Sequence, residues 1–226
     1  MNSSNKTDSN FVRNGAMLGI VSPIVWIMLI ILMGLLNPDY SHLTNFISDL
    51  GAIEAPNPYV QRINFFQFGF SISLLAIAIF KGMERSSVAM LILQLIIGLG
   101  IFFSGVFPGH SLDPESHKSF LHNIVGLPAF ICIILLPLIA GFKFRRMDNW
   151  KDLANYSMLM TPVLALMLFL MIREDIVEDN GYPGLYQRFF IGIWILWIIM
   201  VSIRLKKLKD FKTNRQQRTE LKNKSF

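Results

Sequence analysis

All four histidines of this chain, His42, His110, His117 and His122, fall in or at the edge of two short polar links between long apolar runs. Neutral imidazole together with carboxylate is a donor set that suits zinc, and a bound metal lowers the pKa of its water to about 7. Asp49 brings a carboxylate into the same link as His42. The candidate metal or polar site is therefore His42, Asp49, His110, His117 and His122. In a zinc arrangement His110, His122 and Asp49 would be ligands and His42 or His117 the fourth, with Ser48, Asn123 and Tyr186 in support. Arg62 and Arg188 lie at the same boundary and are candidates to hold an anion or a lipid headgroup. No residue type or spacing marks a catalytic group.

Each link has its own pattern. In SHLTNFISDLG, Leu43, Phe46, Ile47 and Leu50 recur at helical spacing, which predicts a short amphipathic helix with His42, Asn45 and Asp49 on its polar face. Gly51 would end that helix as its C-cap. Such a helix either lies flat on lipid or folds over the bundle as a lid that aims Asp49 inward. In the second link Asp113 and Pro114 read as an N-cap followed by a first-turn proline, so a helix should start near Pro114. That start puts His122 and its neighbour Asn123 at the edge of hydrocarbon, where each ring nitrogen needs a partner. The third link carries a Gly-Tyr-Pro-Gly turn just before Tyr186 and Arg188. Arg62 and Arg188 should be ion-paired with acids such as Asp49 or Glu174, or else clamp an anionic headgroup.

The elements that must position these residues are six apolar runs, near 15–36, 63–80, 88–107, 123–142, 153–172 and 189–205. Each approaches the length of about 20 residues that a helix needs to cross a bilayer. Lipid cannot satisfy an open backbone, and no train of alternating strands is present, so the fold class is all-α, a polytopic six-transmembrane-helix bundle. Of the 21 Lys and Arg, 17 lie in the N-terminal segment, the 81–87 and 143–152 links and the tail. Basic residues are retained in the cytoplasm, so both termini are expected there and the histidine links outside. Nine of the 15 acids fall on the histidine side.

The expected organisation is a cytoplasmic segment at 1–14, a membrane domain at 15–205 and a basic tail at 206–226 that looks disordered. The first run is too long for a cleavable signal. Basic charge confined to juxtamembrane links points to membrane lipid as partner and not to nucleic acid. The single cysteine, Cys132, excludes an intrachain disulfide and a thiolate metal cluster. The spans carry no ionisable group that a proton-coupled carrier would use; Gln67, Gln94 and several serines are their deepest polar side chains. Gly15, Gly19, Gly98 and Gly100 should permit close helix approach.

The segments ISDLG, FPGH, HNIVG and GLYQR, placed around these spans, resemble the six-helix membrane family catalogued as domain of unknown function 998. The resemblance covers about Gly15 to Leu205 and implies an integral membrane protein with no assigned activity. PGHS at 108–111 is similar to one element of the membrane phosphatidic-acid phosphatases, whose other elements are missing. The residue types also match those of membrane hydrolases that hold zinc, whose paired histidines on a late helix are absent. The expectation is a lipid-binding, small-molecule-binding or structural protein of a bacterial inner or plasma membrane. The alternative is a zinc hydrolase acting on lipid-linked substrates at the outer leaflet.

Overall fold

The computed structural model describes residues 3–83, 87–109, 116–176 and 181–224, without the side chains of 3–7 and 212–224. Six α-helices account for most of them: α1 Ser3–Leu35, α2 Pro58–Gly82, α3 Val88–Val106, α4 His117–Phe144, α5 Lys151–Ile176 and α6 Pro183–Lys224. Two short 3-10 turns, Ile47–Gly51 and Asp148–Trp150, are added, and there is no strand among the described residues. All six helices are long and apolar enough to cross a membrane. The chain is a multi-pass integral membrane protein, as its hydropathy pattern predicts.

Helix starts follow local chemistry. α2 opens on Pro58, whose fixed φ suits a first turn and whose missing N–H would be unpaired there anyway. α6 likewise opens on Pro183. α4 differs from the sequence expectation. It begins at His117, and the Ser116 hydroxyl caps it by accepting from Ser119 N; Asp113 and Pro114 lie outside the described residues. The tail also departs from expectation, because α6 runs on without a break through Lys224 and the 206–226 segment is helical rather than disordered up to that point.

The helices close into a ring in chain order, each packing on the next, with α1 against α6 to complete the circuit. Short links force this neighbour packing. Phe68, Leu75, Phe190, Trp194, Trp197 and Ile198 are buried inside it. Trp197 Nε1 donates to Ser157 Oγ at 2.8 Å, and that hydroxyl donates to the Leu153 carbonyl, so α5 and α6 are joined by a satisfied polar pair. α2 and α3 approach backbone to backbone. A Cβ on Gly98 would lie 2.9 Å from the Gly69 carbonyl, and one on Gly69 would lie 2.8 Å from Phe102 Cα. Without a hydrophobic drive between helices in lipid, such backbone contact supplies the attraction.

Gly69→Ala should therefore cost about 1–3 kcal/mol, the range for overpacking a tight contact. Gly192→Ala should cost nothing, because open space surrounds the Cβ it would add. Unfolding midpoints of the two variants in detergent check this; equal midpoints would remove the close crossing from the account.

Candidate functional site

At the acidic end of the bundle, residues 37–57 leave α1 and return across the helix ends before α2 begins. α6 holds them in place. Leu185 N donates to the Leu43 carbonyl at 2.8 Å, and Ile47 N donates to Gln187 Oε1 at 2.7 Å. Arg188 does most. Its Nη1 donates to the Asn45 carbonyl at 2.9 Å and the Gly184 carbonyl at 2.7 Å, its Nε to His42 Nδ1 at 3.2 Å, and its Nη2 to Tyr40 Oη. Tyr40 passes this on by donating to the Phe46 carbonyl at 3.0 Å. Gly184 is required at that spot, since a Cβ there would lie 3.0 Å from the Asn45 carbonyl carbon.

The electrostatics follow from burial beside a cation. His42 accepts from Arg188 through Nδ1, which demands a neutral ring, and burial followed by the Arg188 charge lowers its pKa. Burial pushes the Tyr40 hydroxyl up to about 12, against the opposing pull of Arg188. Asp49 Oδ2 accepts from Phe46 N at 2.8 Å and so caps the 47–51 turn. Burial raises its pKa to about 6, with the Phe46 N–H, the Asn45 side chain and Arg188 pulling it down and Asp175 pushing it up.

His42, Asp49 and Arg188, all expected at the site, do gather here. Among the described residues, neither Arg62 nor Arg188 forms the expected ion pair with Asp49 or Glu174. Among the described residues Arg188 is held by neutral groups, Glu174 is paired with Arg173 at 2.8 Å, and Arg62 donates Nε to the Gly51 carbonyl at 2.9 Å while lying over the Tyr59 ring. The 42–50 stretch is a turn followed by a 3-10 helix, not one amphipathic helix, because Gln187 and Arg188 capture its backbone groups. Ile47 and Leu50 are buried against the bundle while Leu43 is exposed, so the segment sits as a lid. Gly51 has no positive φ and is not a left-handed cap.

The other histidines lie apart. His122 Nδ1 bonds the Phe107 carbonyl at 2.8 Å, Asn123 is exposed, and His117 is exposed against Phe120. His110 lies outside the described residues. Among the described residues no three His, Cys, Asp or Glu side chains converge on a point that could hold a metal. Ser48 and Tyr186 are half-buried. Sequence reasoning overlooked Tyr40 and Gln187, whose signal is modest: an aromatic two residues before His42 and an amide one residue before Arg188.

Two outcomes are expected. Arg188→Lys should destabilise the protein by at least about 2 kcal/mol, because one ammonium cannot reproduce a planar fork bonded to four groups; proteolysis of the 37–57 segment reads the loss. Asp49 has a folded pKa of about 6 against 3.8 unfolded, so its contribution is fully present below pH 4 and is lost as pH rises through 6. The loss is at most about 3 kcal/mol, and Asp49→Asn should remove that slope from the pH profile of the unfolding midpoint.

A family model described as a protein of unknown function, DUF998, matches residues 20–204. No curated protein and no solved structure matches the chain. The matched segment runs from inside α1 to the membrane-crossing part of α6 and so takes in the whole ring of helices. The chain belongs to the DUF998 family.

Proposed function

We propose that this membrane protein binds an amphiphile with an anionic head at its acidic end, read from the charge bias as the outer leaflet, and breaks no bond in it. The observation that carries the reading is Arg62. Its Nε is used by the Gly51 carbonyl, but both Nη groups are without a partner among the described residues. The guanidinium is half-buried, and the exposed side chains of Tyr59 and Ile63 flank it on α2. A cation with a free planar fork beside exposed apolar groups suits a phosphate or carboxylate whose tail lies in lipid.

Arg188 supports a second, structural reading of the rest of this end. Its fork is spent on the protein's own oxygens and on His42, so it holds the lid rather than a ligand. The two readings are compatible, because different arginines carry them.

Binding of phosphatidylglycerol and phosphatidylcholine to the purified full chain, measured by native mass spectrometry, tests the proposal. The wild type should prefer the anionic lipid, and Arg62→Gln should reduce that preference about tenfold, as loss of a charge-assisted contact would. An unchanged preference in Arg62→Gln would sink it.

A further inference from the structure

Beneath the 47–51 turn runs a row of polar side chains bonded to one another. Gln61, Asn64 and Gln67 repeat every three residues on α2 and share one face. Gln61 and Asn64 are fully buried. The lid rests directly on the first of them, since a Cβ at Gly51 would lie 3.4 Å from Gln61 Cγ. Ser22 Oγ of α1 donates to Gln67 Oε1 at 2.9 Å, Gln67 Nε2 to Asn64 Oδ1 at 3.0 Å, and Asn64 Nδ2 to Gln61 Oε1 at 3.3 Å.

The direction of this row is fixed by one backbone group. Asn64 Nδ2 also donates to the Trp26 carbonyl at 3.1 Å. A carbonyl only accepts, so the Asn64 amide has one permitted orientation, and Gln67 and Ser22 must follow it. At the lid end, Gln61 gives its oxygen to Asn64 and keeps Nε2. That nitrogen is buried and has no acceptor among the described residues. Bonds in series polarise one another, which makes this last N–H a stronger donor than an isolated amide.

Two more buried donors lack an acceptor on the helices that meet here, Trp26 Nε1 of α1 and Trp194 Nε1 of α6. Phe68 joins their rings, stacked on Trp26 at 4.9 Å between centroids and edge-on to Trp194 at 6.0 Å. An unpaired buried donor costs about 1–3 kcal/mol, and three of them on the three helices that meet here call for a shared kind of partner, an acceptor. Charge selects its class. Trp26, Phe68 and Trp194 lie in stretches, 14–35, 63–80 and 189–203, that contain no Lys, Arg, His, Asp or Glu, so an anion along that row would be uncompensated, whereas a neutral oxygen would not.

We propose that the α1, α2 and α6 interface beneath the lid binds a neutral, lipid-soluble carbonyl compound. Its oxygen accepts from Gln61 Nε2, and its apolar body lies along Trp26, Phe68 and Trp194. Such a carbonyl comes from the acyl ester of a membrane lipid or from the ring of a lipid-soluble quinone. The site goes beyond the anion reading and does not rest on it.

The full chain in detergent is titrated with dioctanoylglycerol and, separately, with decylubiquinone while its unfolding temperature is followed. At least one probe should raise that temperature saturably, and Gln61→Leu and Trp26→Phe should each weaken the apparent affinity about fivefold or more. Response to the ester alone assigns a lipid, response to the quinone alone assigns a quinone, and response to both assigns a site that reads the carbonyl whatever carries it. Gln94→Leu, which removes a buried unpaired donor on α3, should leave the response intact. No rise with either probe overturns the proposal, as does a rise undiminished in Gln61→Leu. Trp26→Phe keeps the ring against Phe68 and decides the matter if Gln61→Leu does not fold.

Discussion

A guanidinium anchored near the start of a membrane helix, with no carboxylate bonded to it among the described residues, shapes the acidic end of this molecule. Arg188 cannot shed its charge, and leaving it bare at the edge of hydrocarbon would be costly. The chain solves this by bringing oxygens to it: the Asn45 and Gly184 carbonyls and the Tyr40 hydroxyl, with the His42 ring nitrogen as the fourth acceptor. Those groups lie on two segments far apart in sequence. Solvating one cation thus fixes residues 40–46 onto the first turns of α6, and the path of the whole 37–57 segment follows.

Once that segment is placed, the 47–51 turn must cross the open ends of α1, α2 and α6. It is pinned from both sides, by Gln187 of α6 at the Ile47 N–H and by Arg62 of α2 at the Gly51 carbonyl. Asp49 spends its carboxylate on the Phe46 N–H rather than on a cation, which is why burial governs its pKa. The turn buries Ile47, Leu50 and Ala52 and leaves Gly51 resting on Gln61. Lid and amide row are therefore one construction: the lid keeps Gln61 from water, and keeping it from water is what makes its unused N–H matter.

The spans were legible because lipid imposes runs of about 20 apolar residues, and a closed ring in chain order is the natural result of short links. The lid's conformation was not legible. The Leu43, Phe46, Ile47, Leu50 stripe fits a helix equally well, and only capture of its backbone by Gln187 and Arg188 excludes one. His122 shows the same difficulty, since its partner is the carbonyl of Phe107, a group that every residue possesses and no pattern marks. The amide row was in plain view at Gln61, Asn64 and Gln67, yet Gln67 alone stands out as deep in a span while the other two lie at its edge. Their relation comes from burial, which sequence spacing does not report. The helical tail reflects continuation of α6 beyond lipid, where charge suggests disorder but a long preformed helix lowers the cost of each added turn.

Arg62 and Arg188 occupy equivalent positions, each within two turns of a helix-opening proline, and a count of charges treats them alike. Their surroundings separate them. Arg188 faces the returning segment and gives it three of its four bonds, to Tyr40, His42 and Asn45, with the fourth going to Gly184 of its own helix. Arg62 lies on α2 between the exposed Tyr59 and Ile63, over the Tyr59 ring, and among the described residues only the Gly51 carbonyl takes a hydrogen bond from it. A fork that must stay bonded to hold a lid cannot also be given to a ligand without opening that lid. The proposed anion site therefore falls to Arg62, whose Nη groups have no partner among the described residues, while Arg188 holds the lid that covers the amide row.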